Sequence, residues 1–198
     1  MNIGIVGTGG VGRALGILWS GHGHELFFGA STAGAAREAA AKAGGRSGGL
    51  DEAVRFGDAL LYTLRSGPGP SSCAGAALRD KIVIDCRERL PGERTNPVEA
   101  PGARLVRAFF EVPQEAFDLC DAVPLCEYGV PFFLCGDDAG AKAVAASLAE
   151  QIGFSPVDCG PLRNAHVVGA LGGAIRLLSE RDALGRAEPL DPLLLEAA

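Results

Sequence analysis

The chain opens on an apolar, β-branched run, Ile3, Ile5 and Val6, of the kind that fills a strand buried on both faces. The run breaks into Gly7-Thr8-Gly9-Gly10-Val11-Gly12, after which Val11, Ala14, Leu15 and Leu18 recur at the spacing of one helix face. Glu25 to Gly29 (ELFFG) predicts a second strand, and Ser31 caps a helix from Thr32 to Ala43. Gly44 to Gly49 is rich in glycine and predicts a surface loop. Leu50 to Phe56 reads as a short helix and Ala59 to Leu64 as a third buried strand. Arg65 to Pro70 is a turn, and Ser71 begins another short helix. Lys81 to Asp85 (KIVID), Arg104 to Phe109 (RLVRAF) and Pro131 to Cys135 predict the next three strands. A long, charged, proline-bearing loop, Arg87 to Gly102, separates the first two of these, and a loop of such length is often functional. Ala141, Val144, Ala145, Leu148 and Ile152 trace an amphipathic helix, and Phe154 to Cys159 a final edge strand. Strands alternating with helices predict an α/β fold with a doubly wound, mainly parallel sheet.

The C-terminal part departs from this rhythm. A helix from about Arg163 to Leu178 contains Gly169, Gly172 and Gly173, each costing about 1 kcal/mol against alanine. Close approach of another backbone or of a flat ligand would offset that cost. Beyond Arg181, Pro189 and Pro192 flank a leucine-bearing arm. The expected organisation is a nucleotide-binding domain over residues 1–160, then a helix and arm over 161–198. That extension packs on the same domain or on the partner of a homodimer.

Strand, GxGxxG and helix together form a dinucleotide fingerprint, so the expected fold is the Rossmann type. Gly7 makes the tight turn, Gly9 lets the backbone approach a pyrophosphate, and Gly12 lets the helix pack on the strand. The anion would sit at the helix N-terminus, where unpaired N–H groups and the positive dipole end meet it. The 198 residues hold 18 basic and 24 acidic side chains, a formal charge of −6, which disfavours nucleic acid as a partner. With no apolar run of membrane-spanning length and a core strand at the very start, a cytoplasmic protein without membrane partners is expected. The six cysteines, Cys73, Cys86, Cys120, Cys126, Cys135 and Cys159, form no C-x-x-C pair and read as free thiols. His22 and His24 fall in a turn with no third ligand nearby, so no metal is expected.

A site for NAD places a carboxylate about 20 residues past the glycines, on the ribose 2′-hydroxyl. Here the second strand ends Phe28-Gly29-Ala30-Ser31-Thr32, with hydroxyls and no carboxylate, and Arg37 follows on the helix. Hydroxyls plus a cation suit a 2′-phosphate, which favours NADP.

These residues resemble the NADP oxidoreductases of the coenzyme F420-dependent type. The landmarks are IGIVGTGGVG, GHGHELFFGAS, KIVIDC, LVRAF, FFLCGDDAGAKAVAASLAEQIGF and PVDCGPLRNA. The pair CGDDAGAK and DCGPLRNA is the most specific, because Rossmann domains in general lack it. The resemblance implies a single Rossmann domain that passes hydride between NADP(H) and a deazaflavin, coenzyme F420. It further implies that Thr8, Gly10 and Val11 contact the pyrophosphate and that Ser31, Thr32 and Arg37 face the 2′-phosphate. Thr63, Leu64, Arg65 and Ala108 would line the nicotinamide. The chain departs from the family where the second substrate belongs. The family's Asp-Cys-Thr-Asn-Pro is here Asp85-Cys86-Arg87-Glu88-Arg89, and its Ala-Phe-Asn is Ala108-Phe109-Phe110. After the second strand, Ser-Arg-Arg becomes Ala30-Ser31-Thr32.

Hydride transfer between two flat rings needs stacking, distance and exclusion of water more than acid–base groups. A carbonyl or imine acceptor would need a proton donor, for which His166 is the candidate, and Arg65 could hold an anionic substrate through its planar fork. Arg87 and Arg89 follow the fourth strand on the edge where open sheets bind ligands. Three functions stay open: an NADP-linked deazaflavin oxidoreductase, an NADPH-dependent reductase of a small carbonyl or imine metabolite, and a non-catalytic nucleotide sensor.

Overall fold

The computed structural model describes residues 1–64, 78–87, 100–110 and 131–170. The helix expected from Ser71, Arg65, Arg89, three of the cysteines and the C-terminal arm lie outside them. Eight strands form one sheet: β1 (Asn2–Val6), β2 (Glu25–Gly29), β3 (Arg46–Gly48), β4 (Ala59–Tyr62), β5 (Ile82–Asp85), β6 (Arg104–Arg107), β7 (Pro131–Gly136) and β8 (Ser155–Asp158). Their order is β3-β2-β1-β4-β5-β6-β7-β8. The pairs from β3 to β6 are parallel, β7 turns antiparallel against β6, and β8 runs parallel to β7. The doubly wound α/β class therefore holds, and the sheet reverses direction once.

Helices α1 (Gly10–Ser20), α2 (Ala33–Ala43) and α4 (Ala139–Gln151) supply one side of the core, and α3 (Leu50–Phe56) the other. The period of two divides the strands accordingly. Ile3, Ile5, Leu61, Ile84 and Val106 face the cluster that holds Trp19, Phe28 and Phe132, whereas Val6, Leu60, Tyr62 and Val83 face Val54 and Leu78. The Trp19 indole N–H donates to the Leu148 carbonyl at 2.9 Å, tying α1 to α4 inside the core. Tryptophan buries its body here without stranding its polar edge.

Several boundaries differ from expectation. Gly44 to Gly49 is not all loop: Arg46–Gly48 pairs with Phe27–Gly29 as an edge strand. An edge strand of three residues carries no apolar alternation to betray it. In α1 the buried residues are Gly12, Leu15, Gly16 and Trp19, so the inner face is turned from the one the apolar spacing marks. A Cβ on Gly16 would stand 2.9 Å from Ile5 Cδ1, and it is the small residues that bring the helix closest to the sheet. Helix α2 is capped by Thr32 rather than Ser31, and no side-chain bond closes the cap. Strand β4 stops at Tyr62, and β6 at Arg107 rather than Phe109.

Phe109 ends β6 in the left-handed region, φ 61°, a conformation costing a non-glycine residue about 1–3 kcal/mol. Its ring is held by Phe132 at 4.3 Å and edge-on by Trp19 at 5.8 Å. Burial and these ring contacts offset the backbone cost.

The two family-like motifs clasp each other at the opposite end of the sheet. Asp138 caps α4 by accepting the Ala141 amide, while Asp137 accepts the Leu162 amide at 3.0 Å. Lys142 meets Asp158 at 2.7 Å, the Asn164 side chain donates to the Cys159 carbonyl, and the Gly136 amide donates to the Gly160 carbonyl. The clasp leads through a short 3-10 turn, Leu162–Asn164, into helical residues 165–170. Gly172 and Gly173 lie outside the described residues.

Candidate functional site

All parallel strands from β3 to β6 end on one edge, and that edge gathers the glycine turn and most of the predicted site residues. Between β1 and β4 the strand order reverses, β1 being followed by β2 on one side and β4 by β5 on the other, which makes the crevice above them the ligand-binding position of an open sheet.

The three glycines differ in what holds them. Gly7 has φ 107°, and a Cβ there would overlap the Thr63 hydroxyl and approach Leu64 Cδ2 to 3.0 Å. A Cβ on Gly12 would stand 2.7 Å from the Gly7 carbonyl oxygen and 3.2 Å from Ile5 Cγ2. Those two positions are fixed by the turn and by helix packing. Gly9 is different: a Cβ there meets no atom of the described residues within 4 Å. Gly9 is the N-cap of α1, without a side-chain cap, and Arg13 N–H makes the first helical bond to its carbonyl. The amides of Gly10, Val11 and Gly12 thus belong to the open first turn, as at an anion-binding helix start. Thr8, Gly10 and Val11 are half-buried around it.

Beside this turn, β2 delivers Ser31 and Thr32, both exposed. Arg37 is exposed as well, and its Nε donates to the Ala33 carbonyl at 3.2 Å, which folds the guanidinium stem back over the first turn of α2. On the other flank Thr63 closes onto β1, its amide and hydroxyl both donating to the Val6 carbonyl. Leu64 is half-buried next to it, and Ala108 is fully buried, its amide donating to the Asp85 carbonyl.

The structure does not bring His166 to this edge. Gly136 pairs with Val106, Asp138 faces Arg104 at the start of β6, and Asp137 binds Leu162, so residues 162–166 lie at the opposite end of the strands. His166 is exposed there, its Nδ1 2.7 Å from the Arg163 carbonyl oxygen.

Charged residues inside strand patterns, which periodicity does not single out, form the most polar part of the edge. Asp85 ends β5 almost completely buried, and Arg87 reaches it through Nε at 2.9 Å and Nη2 at 3.1 Å. Arg107, from the neighbouring β6, reaches the same carboxylate through Nη1 at 2.9 Å. The Arg87 guanidinium lies over the Tyr62 ring and that of Arg107 over Phe110. Burial works against the Arg87 charge, but the hydrogen bond and charge of Asp85 outweigh it and raise its pKa. Cys86 is buried and donates to the Tyr62 carbonyl, and burial first, then the Asp85 charge, push its thiol far up. It is accordingly no nucleophile. Among the described residues no cluster of His, Cys, Asp and Glu is arranged to hold a metal ion, and no helix is long and apolar enough to cross a membrane.

Comparison with known proteins agrees with this fold. A protein assigned as an F420-dependent NADP reductase from Arthrobacter sp. FB24 has the same fold, with TM-score 0.72 at 22% identity over 93% of this chain and 95% of that one. An imine reductase from Bacillus cereus BAG3X2 matches with TM-score 0.66 and 17% identity, over 92% of this chain and 63% of its own length. The 3-hydroxyisobutyrate dehydrogenase of Mycobacterium tuberculosis matches with TM-score 0.63 and 17% identity, over 94% and 66%. No curated protein matches in sequence. A family profile, by contrast, matches residues 2–89, the stretch carrying β1 to β5, the glycine turn and Asp85. The profile is described as NADP oxidoreductase, coenzyme F420-dependent, and over those residues the chain is similar to that family.

Proposed function

We propose that the chain transfers hydride between NADP(H) and a deazaflavin of the coenzyme F420 type. The observation that carries the nucleotide part is the contrast among the glycines. Gly7 and Gly12 are required by the fold, while a Cβ on Gly9 would meet no atom of the described residues. A pyrophosphate approaching that backbone accounts for the missing side chain. Ser31, Thr32 and Arg37 hold the 2′-phosphate, and the absence of a carboxylate from residues 29–32 removes the repulsion that would select NAD. NADPH supplies a hydride at its nicotinamide ring when bound. Thr63 and Leu64 then form the wall that sets the ring's depth and excludes water, and a flat acceptor stacks above it.

The deazaflavin part rests on the family match and on the need for no catalytic acid at this edge. An acceptor of this kind takes the hydride into its own ring system and one proton from solvent. A second reading, reduction of a small carbonyl or imine, is favoured by the Asp85, Arg87 and Arg107 cluster, which gives the acceptor side a polar lining. Mixing the protein with NADPH and oxidised deazaflavin, and following both chromophores, tests the proposal. Coupled loss of the two absorbances supports it. Tight NADPH binding without exchange moves the assignment to small carbonyl and imine acceptors.

A further inference from the structure

The peptide that joins Val6 to Gly7 is held from both neighbouring strands. Its N–H donates to the Gly29 carbonyl of β2 at 2.9 Å, and its oxygen accepts the amide of Thr63, the residue after β4, at 3.0 Å. Those bonds complete the ladder on either side of β1. The Val6 oxygen takes a second donor all the same, the Thr63 hydroxyl, at 3.2 Å. A carbonyl oxygen has two lone pairs and strand pairing uses one of them, so the hydroxyl adds a restraint that the sheet does not need.

The rest of the Thr63 side chain lies under the same turn. A Cβ on Gly7 would overlap Thr63 Oγ1, and a Cβ on Gly12 would stand 3.4 Å from Thr63 Cγ2. The hydroxyl therefore faces the first glycine of the fingerprint and the methyl faces the last. Threonine is branched at Cβ, which restricts χ1 and keeps both groups in place. A peptide unit is planar, so fixing the Val6 oxygen fixes the plane from which Gly7 departs at φ 107°. The amides of Gly10, Val11 and Gly12, in the open first turn of α1, follow directly along the chain.

We propose that Thr63 is a positioning residue for the bound anion. Its hydroxyl holds the Val6–Gly7 peptide in the orientation that aims the α1 amides at the pyrophosphate. This deepens the nucleotide reading above and rests on it. The role is distinct from that of a wall beside the nicotinamide, because it acts through the backbone of the glycine turn and on another part of the ligand.

The test uses probes that divide the ligand: NADPH; 2′-phospho-ADP-ribose, which keeps the pyrophosphate and lacks the nicotinamide; and adenosine 2′-monophosphate, which lacks both. Titration calorimetry measures each with the full natural chain, with Thr63→Val and with Thr63→Ser. The valine variant, which exchanges the hydroxyl for a methyl, should bind NADPH and 2′-phospho-ADP-ribose about five- to tenfold more weakly, the effect of one lost hydrogen bond. It should bind adenosine 2′-monophosphate as the natural protein does and melt within about 4 °C of it. The serine variant keeps the hydroxyl and should stay within about twofold of the natural protein for every probe. Natural affinity of the valine variant for 2′-phospho-ADP-ribose would overturn the proposal; loss confined to NADPH would place the hydroxyl's effect at the nicotinamide instead. Equal weakening of all the probes would overturn it too, since Thr63 would then only support the fold, and so would a serine variant as weak as the valine one. If the valine variant does not fold, Thr63→Ala removes the hydroxyl without adding bulk and is measured in its place. If adenosine 2′-monophosphate binds too weakly to measure, the contrast between the valine and serine variants on 2′-phospho-ADP-ribose decides. A natural protein that binds neither NADPH nor 2′-phospho-ADP-ribose would remove the nucleotide reading itself, an outcome distinct from an indifferent Thr63.

Discussion

The Lys142 ammonium lies 2.7 Å from the Asp158 carboxylate, joining the first turn of α4 to the end of β8. The hydrogen bond from Lys142, against a small burial effect and with help from the Gly160 amide, holds the Asp158 carboxyl below its usual value of 3.8. A carboxyl whose pKa falls on folding stabilises the fold above its unfolded pKa and loses that contribution as pH drops through the folded one. Stability of the natural protein should therefore decline below about pH 4 by a component that Asp158→Asn lacks. Asp158 is more than half exposed, so the difference is at most about 1 kcal/mol. Urea unfolding of both proteins between pH 3 and 6 measures it, and parallel curves would refute it.

Gly9 and Gly12 separate the demands of ligand and fold. Gly9→Ala should unfold within about 0.5–1 kcal/mol of the natural protein, because its Cβ meets no atom of the described residues, and should weaken NADPH binding at least tenfold. Gly12→Ala pushes a Cβ against the Gly7 carbonyl and should cost about 1–3 kcal/mol of stability. Thermal melts alongside nucleotide titration check both. A Gly9→Ala protein with natural affinity would contradict the pyrophosphate assignment.

At the end of β2, Thr32 caps α2 without using its hydroxyl, and Ser31 and Arg37 are exposed. Replacing all three by alanine should leave stability nearly unchanged while lowering NADPH affinity tenfold or more and sparing NADH. Equal losses for both nucleotides would show that these residues do not read the 2′-phosphate.

Asp85→Ala removes the carboxylate that the buried Arg107 and the half-buried Arg87 share. The expected loss is about 3–5 kcal/mol in chemical denaturation, larger than any single exposed ion pair would give. A loss below about 1 kcal/mol would mean that the arginines turn out to solvent when the carboxylate is removed.

Much of this architecture is legible in the sequence because its core strands are unbroken apolar runs. KIVID and ALLY declare buried parallel strands, and the glycine turn announces itself by position and flanks. The edge strand Arg46–Gly48 is not legible, since three polar or small residues owe their strand state to pairing with β2. The inner face of α1 is hidden for a related reason: Gly12 and Gly16 mark the closest contacts, and a hydrophobic pattern gives glycine no weight. The Asp85–Arg107 pair escapes detection because Asp85 alone reads as the polar end of one strand and Arg107 as a polar position inside another. Only β5–β6 pairing, which sets Asp85 opposite Arg107, shows that they meet. His166 illustrates the converse, a residue chosen for its chemistry and placed by the fold at the far end of the sheet.

The most direct measurement of the central claim is a single-turnover experiment with equal amounts of protein, NADPH and oxidised deazaflavin, both chromophores followed together. The account predicts one deazaflavin reduced for each NADPH oxidised, with Gly9→Ala protein markedly slower at the same nucleotide concentration. NADPH bound and left unoxidised, with the deazaflavin absorbance constant, would contradict it.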